Sequence, residues 1–246
     1  MDIIELDWPA PANVRALSTT RVDGVSEGPF ASLNLATHVG DHPEAVAHNR
    51  GRLSSELGLP SEPGWLTQVH GSGVARVGED APGCEADAAV GDSSGMVCAV
   101  VTADCLPVLL CDTRGSRVAA VHAGWRGLAA GVIESAVQRM GVAPVDLMGW
   151  LGPAIGPDAF EVGDEVRARF LEIDASADGA FRVSPNGHWL ADLYELARRR
   201  MEQIGIESVY GGGYCTFSEP RRFFSYRRDG VTGRMASLIW LDDSVA

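Results

Sequence analysis

The stretch from Val100 to Gly127, VVTADCLPVLLCDTRGSRVAAVHAGWRG, constrains this chain more than any other. Two apolar runs, VLLC and VAAV, flank the turn-rich DTRGSR, which is the pattern of two strands joined by a tight connection. Pro107 biases Leu106 away from helix, so the chain stays extended or turns sharply at Asp104 and Cys105. Each run carries a reactive group at one end: Cys105 opens the first and His122 closes the second. His70, in TQVHG, ends a third short apolar run. A thiolate and two imidazoles are donors that zinc and copper favour.

Around this centre the chain alternates strand and helix patterns. VRALSTT (14–20) reads as a strand, and so do WLTQVHG and VARV around Gly71 and Gly73. Asp41 and Glu44 have the spacing of a capping box, with Val46, Leu53 and Leu57 on one helical face and Gly58 and Pro60 ending the element. Asn34, His38, Asn49 and Arg50 lie before or on this helix. LAAGVIESAVQRM is expected to form one helix, VDLMGW a strand and VGDEVRARFLEI a short helix. HWLADLYELARRRMEQIGI is the clearest helix, with Leu190, Leu193, Ala197, Met201 and Ile204 as its apolar stripe. Residues 174–188 are polar and turn-prone, a candidate lid or surface loop, and the aromatic runs near the C-terminus suggest strands around an Arg-Asp-Gly turn. No composition shift marks a linker, so residues 1–246 are expected to form a single domain.

Charge narrows the partners. With 33 acidic against 20 basic residues the formal net charge is -13, which argues against nucleic acid or an anionic membrane as the main partner. The acidic start MDIIELDWPAPANV lacks a secretory pattern, and no apolar run reaches the length of a membrane span. Five cysteines are too few, and odd in number, for a disulfide framework, which fits a cytoplasmic protein with reduced thiols. Cys84, Cys98, Cys111 and Cys215 read as structural residues.

Spacings of 35 and 17 residues between His70, Cys105 and His122 match no compact zinc finger. Ligands scattered over strand ends suit an open catalytic centre, where a metal-bound water reaches a pKa near 7. The same residues also allow a cysteine nucleophile with His122 as base, oriented by Asp104 or Asp87, although that leaves His70 without a role. Arg126, beside a helix N-terminus, is a candidate for holding a phosphate or another anion, and Arg227, Arg228 and Arg234 are further ones. Asn34, Gln68 and Asp87 could hydrogen-bond a polar ligand or cap local backbone.

TQVHG, ADAAVGDSSGMVCAVVTADCLPVLLCD, VAAVHAGWRG, LGPAIGP followed by FEVG, and FFSYRRDGVTGR together resemble the bacterial laccase-domain family. Its members have been labelled polyphenol oxidases, purine nucleoside phosphorylases or adenosine deaminases, and peptidoglycan editing factors. The resemblance implies zinc ligands at His70, Cys105 and His122, and an α+β fold with a central sandwich of mixed β-sheets flanked by helices. It implies three uses of one activated water and one anion pocket. The first is zinc-dependent deamination of adenosine, with Asp87 moving protons. The second is phosphorolysis of adenosine, inosine or methylthioadenosine, with Arg126 or Arg50 on the phosphate and Asn34 and Gln68 on the nucleoside. The third, the alternative reading, is an amidase removing a wrong amino acid from a nucleotide-linked cell-wall precursor. Copper oxidation of phenols fits less well, because multicopper sites need many histidines and the chain has six.

Overall fold

The computed structural model describes all residues except 243, 245 and 246. In chain order the first half contains β1 (Ile3–Glu5), β2 (Val14–Thr19), α1 (Pro43–Leu57), β3 (Val74–Arg76), β4 (Ala88–Gly91), β5 (Cys98–Thr102), β6 (Leu106–Asp112) and β7 (Val118–Ala123). Next come α2 (Trp125–Ala130), α3 (Val132–Met140), β8 (Leu147–Leu151), β9 (Glu161–Val162), α4 (Asp164–Ile173), β10 (Phe181–Val183) and β11 (Trp189–Ala191). The chain closes with α5 (Leu193–Gln203), β12 (Ser208–Gly211), α6 (Tyr226–Asp229) and β13 (Met235–Leu241).

The strands form a mixed six-stranded sheet, β12-β8-β6-β7-β4-β3, and a four-stranded antiparallel sheet, β1-β2-β13-β5. A small antiparallel sheet, β10-β11-β9, lies apart from them. The two large sheets pack face to face. Leu109 and Cys111 of β6, Ala120 of β7 and Trp150 of β8 meet Ile4, Val14, Cys98, Val100 and Ile239 of the other sheet. The alternate residues Leu106, Val108 and Leu110 of β6, with Ala119 and Val121 of β7, point away from the sandwich onto Leu128, Ile133, Phe170 and Leu196 of the helices. Both faces of β6 and β7 are therefore covered, which is why these strands read as unbroken apolar runs. Leu53 of α1 covers the outer face of the four-stranded sheet with Leu33 and Leu35. This is the α+β sandwich flanked by helices that the family resemblance implies.

Several local expectations change. WLTQVHG forms no strand beyond an isolated bridge at Thr67, because the amides of Val69, His70 and Gly71 turn to a side chain described below. The helix expected over LAAGVIESAVQRM is two helices, broken where Gly131 takes a left-handed φ of 88°. The Asp41 capping box does not form: α1 starts after His42, and the Asp41 carboxylate accepts instead from Ser26 Oγ and Asn34 Nδ2. Segment 174–188 is no lid, since Ala177, Ala180 and Phe181 belong to the helix-side core and β10 pairs with β11. Leu190 lies in β11, and α5 begins after Asp192, whose carboxylate caps the amides of Tyr194 and Glu195. Phe223 and Phe224 are buried without forming a strand, and YRRD is a helical turn. No described helix is long and apolar enough to cross a membrane.

Candidate metal centre

The antiparallel register of β6 and β7 pairs Pro107 with His122 and Leu106 with Ala123. Cys105, one residue before β6, therefore faces the end of β7. At the opposite edge of β7 the register pairs Ala88 with Val121, which brings Asp87 alongside His122, and the His122 amide donates to the Asp87 carbonyl at 2.7 Å. Asp87 then gathers the third member. Its fully buried carboxylate accepts from the amides of His70 (2.9 Å), Gly71 (2.7 Å) and Val69 (3.3 Å). Gln68 fixes the same loop from its other side, its amide pairing with both the N–H and the C=O of Val101 at 2.8 and 2.9 Å.

The result is a cluster of His70, Cys105 and His122 whose ligand atoms all lie within 4.8 Å of one another. Cys105 Sγ is 3.9 Å from His70 Nε2, and the two imidazoles meet edge to face at 4.8 Å between ring centroids. A tetrahedral ion with bonds of about 2.0–2.3 Å sets its ligands roughly 3.3–3.6 Å apart, so small side-chain rotations close the cluster on a metal. The Asp87 carboxylate is 2.8 Å from His122 Nδ1. That contact holds the proton on Nδ1, so Nε2 is the nitrogen that would face a metal on giving up its own proton.

Electrostatics prepare the donors. Burial alone would raise the Cys105 thiol, but the His122 charge and hydrogen bonds from His122 and His70 outweigh it and bring the thiol down to about 6. Burial would lower His122, yet the Cys105 thiolate and the Asp87 carboxylate overcome it and raise the imidazole to about 9. Burial likewise opposes ionisation of Asp87, and the His122 contact with the Gly71 and His70 amides reverses the effect, so its carboxyl titrates below the ordinary range. Without a metal, Cys105 and His122 are an ion pair at neutral pH. A soft thiolate beside two imidazoles fits a zinc or copper ion.

Close packing and unusual backbone surround the cluster. A Cβ on Gly124 would lie 2.9 Å from Cys105 Sγ and 3.3 Å from His70 Cδ2, so a larger residue here would push on two cluster side chains. His70 (φ 60°) and Asp104 (φ 85°) both adopt left-handed backbone that non-glycine residues rarely take. Asp104 is held by Thr216 Oγ1 and the Arg227 amide, each donating to its carboxylate at 2.6 Å, and by the Ile155 amide on its carbonyl.

A cationic rim faces the cluster. Arg234 has Cys105 and Asp104 within electrostatic reach. Its Nη1 donates to the carbonyls of Thr232 and Gly233, and its own amide donates to Asn34 Oδ1. Arg50 Nε donates to the Leu35 carbonyl, and its guanidinium stacks 4.1 Å above the Trp65 ring. His38 lies within electrostatic reach of both arginines and of both cluster imidazoles: burial lowers it first, and the charges of Arg234, Arg50, His122 and His70 lower it further.

Residues 15–242 match the family described as multi-copper polyphenol oxidoreductase laccase. The chain belongs to this family. Shigella flexneri YfiH, named a purine nucleoside phosphorylase, is 53% identical over 240 residues, covering 97% of this chain and 98% of that protein. A Pseudomonas aeruginosa protein of the same designation is 55% identical over 238 residues, covering 96% and 97%. Among solved structures, a Neisseria meningitidis protein described as DUF152 superposes with a TM-score of 0.94 at 52% identity, covering 98% of this chain and 100% of that one. YlmD from Geobacillus stearothermophilus gives a TM-score of 0.88 at 33% identity, covering 94% and 93%.

Within this family fold, the residues expected from sequence divide sharply. His70, Cys105 and His122 converge. Asp87 is central but buried, with both oxygens accepting hydrogen bonds; it positions His122 and the 69–71 turn and is not free to shuttle protons. Asn34 is buried and bound to Ala36, Asp41 and Arg234, and Gln68 is bound to Val101, so both amides build the walls. Arg126 lies exposed over its own neighbour Trp125, in a depression shared with Glu165 and Arg169 of α4. Arg228 binds the carbonyls of Thr216, Phe217 and Phe223 and is structural. Arg234, one of several anion-binding candidates in the sequence, and His38, given no role there, come within electrostatic reach of the cluster; only the long-range fold brings them there. Cys98 and Cys111 are buried thiols raised by burial and then by a nearby aspartate, Cys111 up to about 12, as suits structural residues. Cys84 and Cys215 are half-buried and free.

Proposed function

We propose that the protein is a zinc-dependent purine nucleoside phosphorylase working at the His70–Cys105–His122 cluster. The observation that carries this reading is the cluster itself, with one imidazole aligned by a buried carboxylate and an arginine rim beside it. The relatives named purine nucleoside phosphorylase support the substrate class, being more than half identical along nearly the whole chain.

Zinc is favoured over a multicopper centre because the described residues hold one such cluster, whereas multicopper oxidation needs several. A zinc ion held there would supply a Lewis acid able to polarise a substrate atom or to bring a water near pKa 7. The remaining work falls to the chain. Cys105 and the imidazoles of His70 and His122 would hold the ion, and Asp87 keeps Nδ1 of His122 protonated and the ring aligned. Arg50 and Arg234, each tethered through some of its nitrogens to backbone carbonyls, offer positive charge for phosphate at C1′ of the ribose. His38, whose imidazole makes no hydrogen bond among the described residues, is placed to move protons at the mouth of the site in Asp87's stead. Deamination of adenosine would use the same centre without phosphate.

The test is chromatography of adenosine incubated with zinc-loaded protein, with and without phosphate, beside Cys105→Ala. Adenine formed only with phosphate and lost in the variant supports phosphorolysis, and inosine formed without phosphate adds deamination. No product from folded, zinc-loaded protein rejects the purine reading and directs the search to amide hydrolysis of a nucleotide-linked cell-wall precursor.

A further inference from the structure

The aromatic side chains of this protein are mostly covered. Among the described residues, the large aromatics left exposed are Phe217 (36%) and Tyr226 (61%). Both are fixed to the same place. Phe217 follows Thr216, and Tyr226 precedes Arg227; Thr216 Oγ1 and the Arg227 amide are the two groups that grip the buried Asp104 carboxylate. Asp104 is the residue before Cys105, so one clasp ties the segments that carry both rings to the neighbour of a cluster residue.

Tyr226 stands nearer the chemistry of the two. The Arg234 guanidinium lies over its ring at 5.8 Å, and that arginine has Cys105 within electrostatic reach. Phe217 opens instead on a groove of about 570 Å³ shared with Arg182 and Arg227. The Tyr226 backbone is rigid, since Ser225 caps α6 by accepting from the Arg228 amide and the Gly230 amide returns to the Tyr226 carbonyl. An exposed ring on a fixed backbone loses little conformational freedom on binding and gains by covering its face, which suits a flat aromatic partner.

We propose that Tyr226 is the surface on which the substrate's purine base stacks, beside the arginine that holds its anionic partner. The inference rests on the purine nucleoside reading. It divides the substrates between two neighbouring groups: Tyr226 takes the base and Arg234 takes phosphate. A side chain that stacks on a base is expected to act on the affinity for that base and to leave the phosphate site alone.

The test is steady-state phosphorolysis by the zinc-loaded full chain, comparing wild type, Tyr226→Ala and Tyr226→Phe with adenosine and phosphate varied in turn. Loss of one base-stacking ring costs about tenfold in affinity, within a range of roughly 5- to 150-fold. Tyr226→Ala should therefore raise KM for adenosine about tenfold, leave KM for phosphate within twofold of wild type, and be rescued by Tyr226→Phe. An unchanged adenosine KM in Tyr226→Ala overturns the proposal, and so does an equal rise in both constants, which would mean that the change acts through Arg234. Absence of both turnover and calorimetric adenosine binding in wild type defeats the purine reading itself and the stacking role with it. Wild-type turnover with a silent Tyr226→Ala defeats only the stacking role.

Discussion

Replacing Asp87 with asparagine isolates what the buried carboxylate does. Its two oxygens accept four hydrogen bonds: the His122 ring and the His70 amide on Oδ1, and the Gly71 and Val69 amides on Oδ2. An asparagine is almost isosteric but has one acceptor oxygen and one donor NH2. If the oxygen keeps the Gly71 and Val69 amides, the NH2 faces both His122 Nδ1 and the His70 amide, donates to the ring nitrogen and moves the ring proton to Nε2, where the metal must bind. If the oxygen keeps His122, the NH2 opposes the Gly71 amide. Either way at least one charge-assisted bond is lost at a site with no access to water, at about 1.5–3 kcal/mol. Removing a partner that orients a metal-bound histidine typically costs 10–100-fold in metal affinity, or ~1.4–2.8 kcal/mol, which agrees with that figure. Asp87→Asn should therefore bind zinc 10–100-fold more weakly in competition with a chromophoric chelator, and its metal-free form should melt at a lower temperature. Wild-type zinc affinity in a folded Asp87→Asn protein would refute the alignment of His122 by Asp87.

Four further outcomes follow from the structure. In metal-free protein, iodoacetamide labelling of Cys105, taken as the difference from Cys105→Ala, should rise with pH around a midpoint of about 6, and a midpoint near 8.5 would remove the ion pair with His122. The lowered thiol contributes stability that is complete above its unfolded value near 8.5 and fades as pH falls through about 6. The raised His122 contributes stability that is complete below about 6.5 and fades as pH rises through about 9. Metal-free protein should thus melt highest between these limits, and a melting temperature flat from pH 5 to 10 would contradict the pairing. Gly124→Ala, whose new methyl would press on Cys105 Sγ at 2.9 Å, should lose at least about tenfold in zinc affinity while keeping native circular dichroism; unchanged affinity would show that the wall yields. Gly131→Ala forces a side chain into φ 88° between α2 and α3 and should cost about 1–2 kcal/mol, lowering the melting temperature by a few degrees with zinc affinity intact.

The sequence carried the centre of this fold plainly, because β6 and β7 are buried on both faces and their residues must be apolar at every position. His70, Cys105 and His122 were legible for a related reason: each lies at one end of an apolar run, and a metal uses all three where a cysteine–histidine pair leaves His70 without a role. What surrounds them was not legible. Asn34 and Gln68 looked like ligand-binding amides, yet Asn34 satisfies a backbone amide 200 residues away and Gln68 completes the edge of β5. Arg126 lies next to the cluster in sequence but is carried to the α4 side by the first turn of α2, whereas Arg234, just before β13, comes within electrostatic reach of Cys105. Spacing along a chain says little about which of many arginines a sheet register will bring home. The same limit hid the role of Asp87, since the amides that saturate it come from a loop sixteen to eighteen residues earlier.

The central claim, that one zinc held by three side chains drives purine phosphorolysis, is tested most directly by adding zinc to chelator-treated protein while adenine release from adenosine and phosphate is followed. Activity should rise from near zero and level off at one zinc per chain in wild type, and stay near zero throughout in His122→Ala. Full turnover before any metal is added, recovery with copper but not zinc, or recovery in His122→Ala would contradict it.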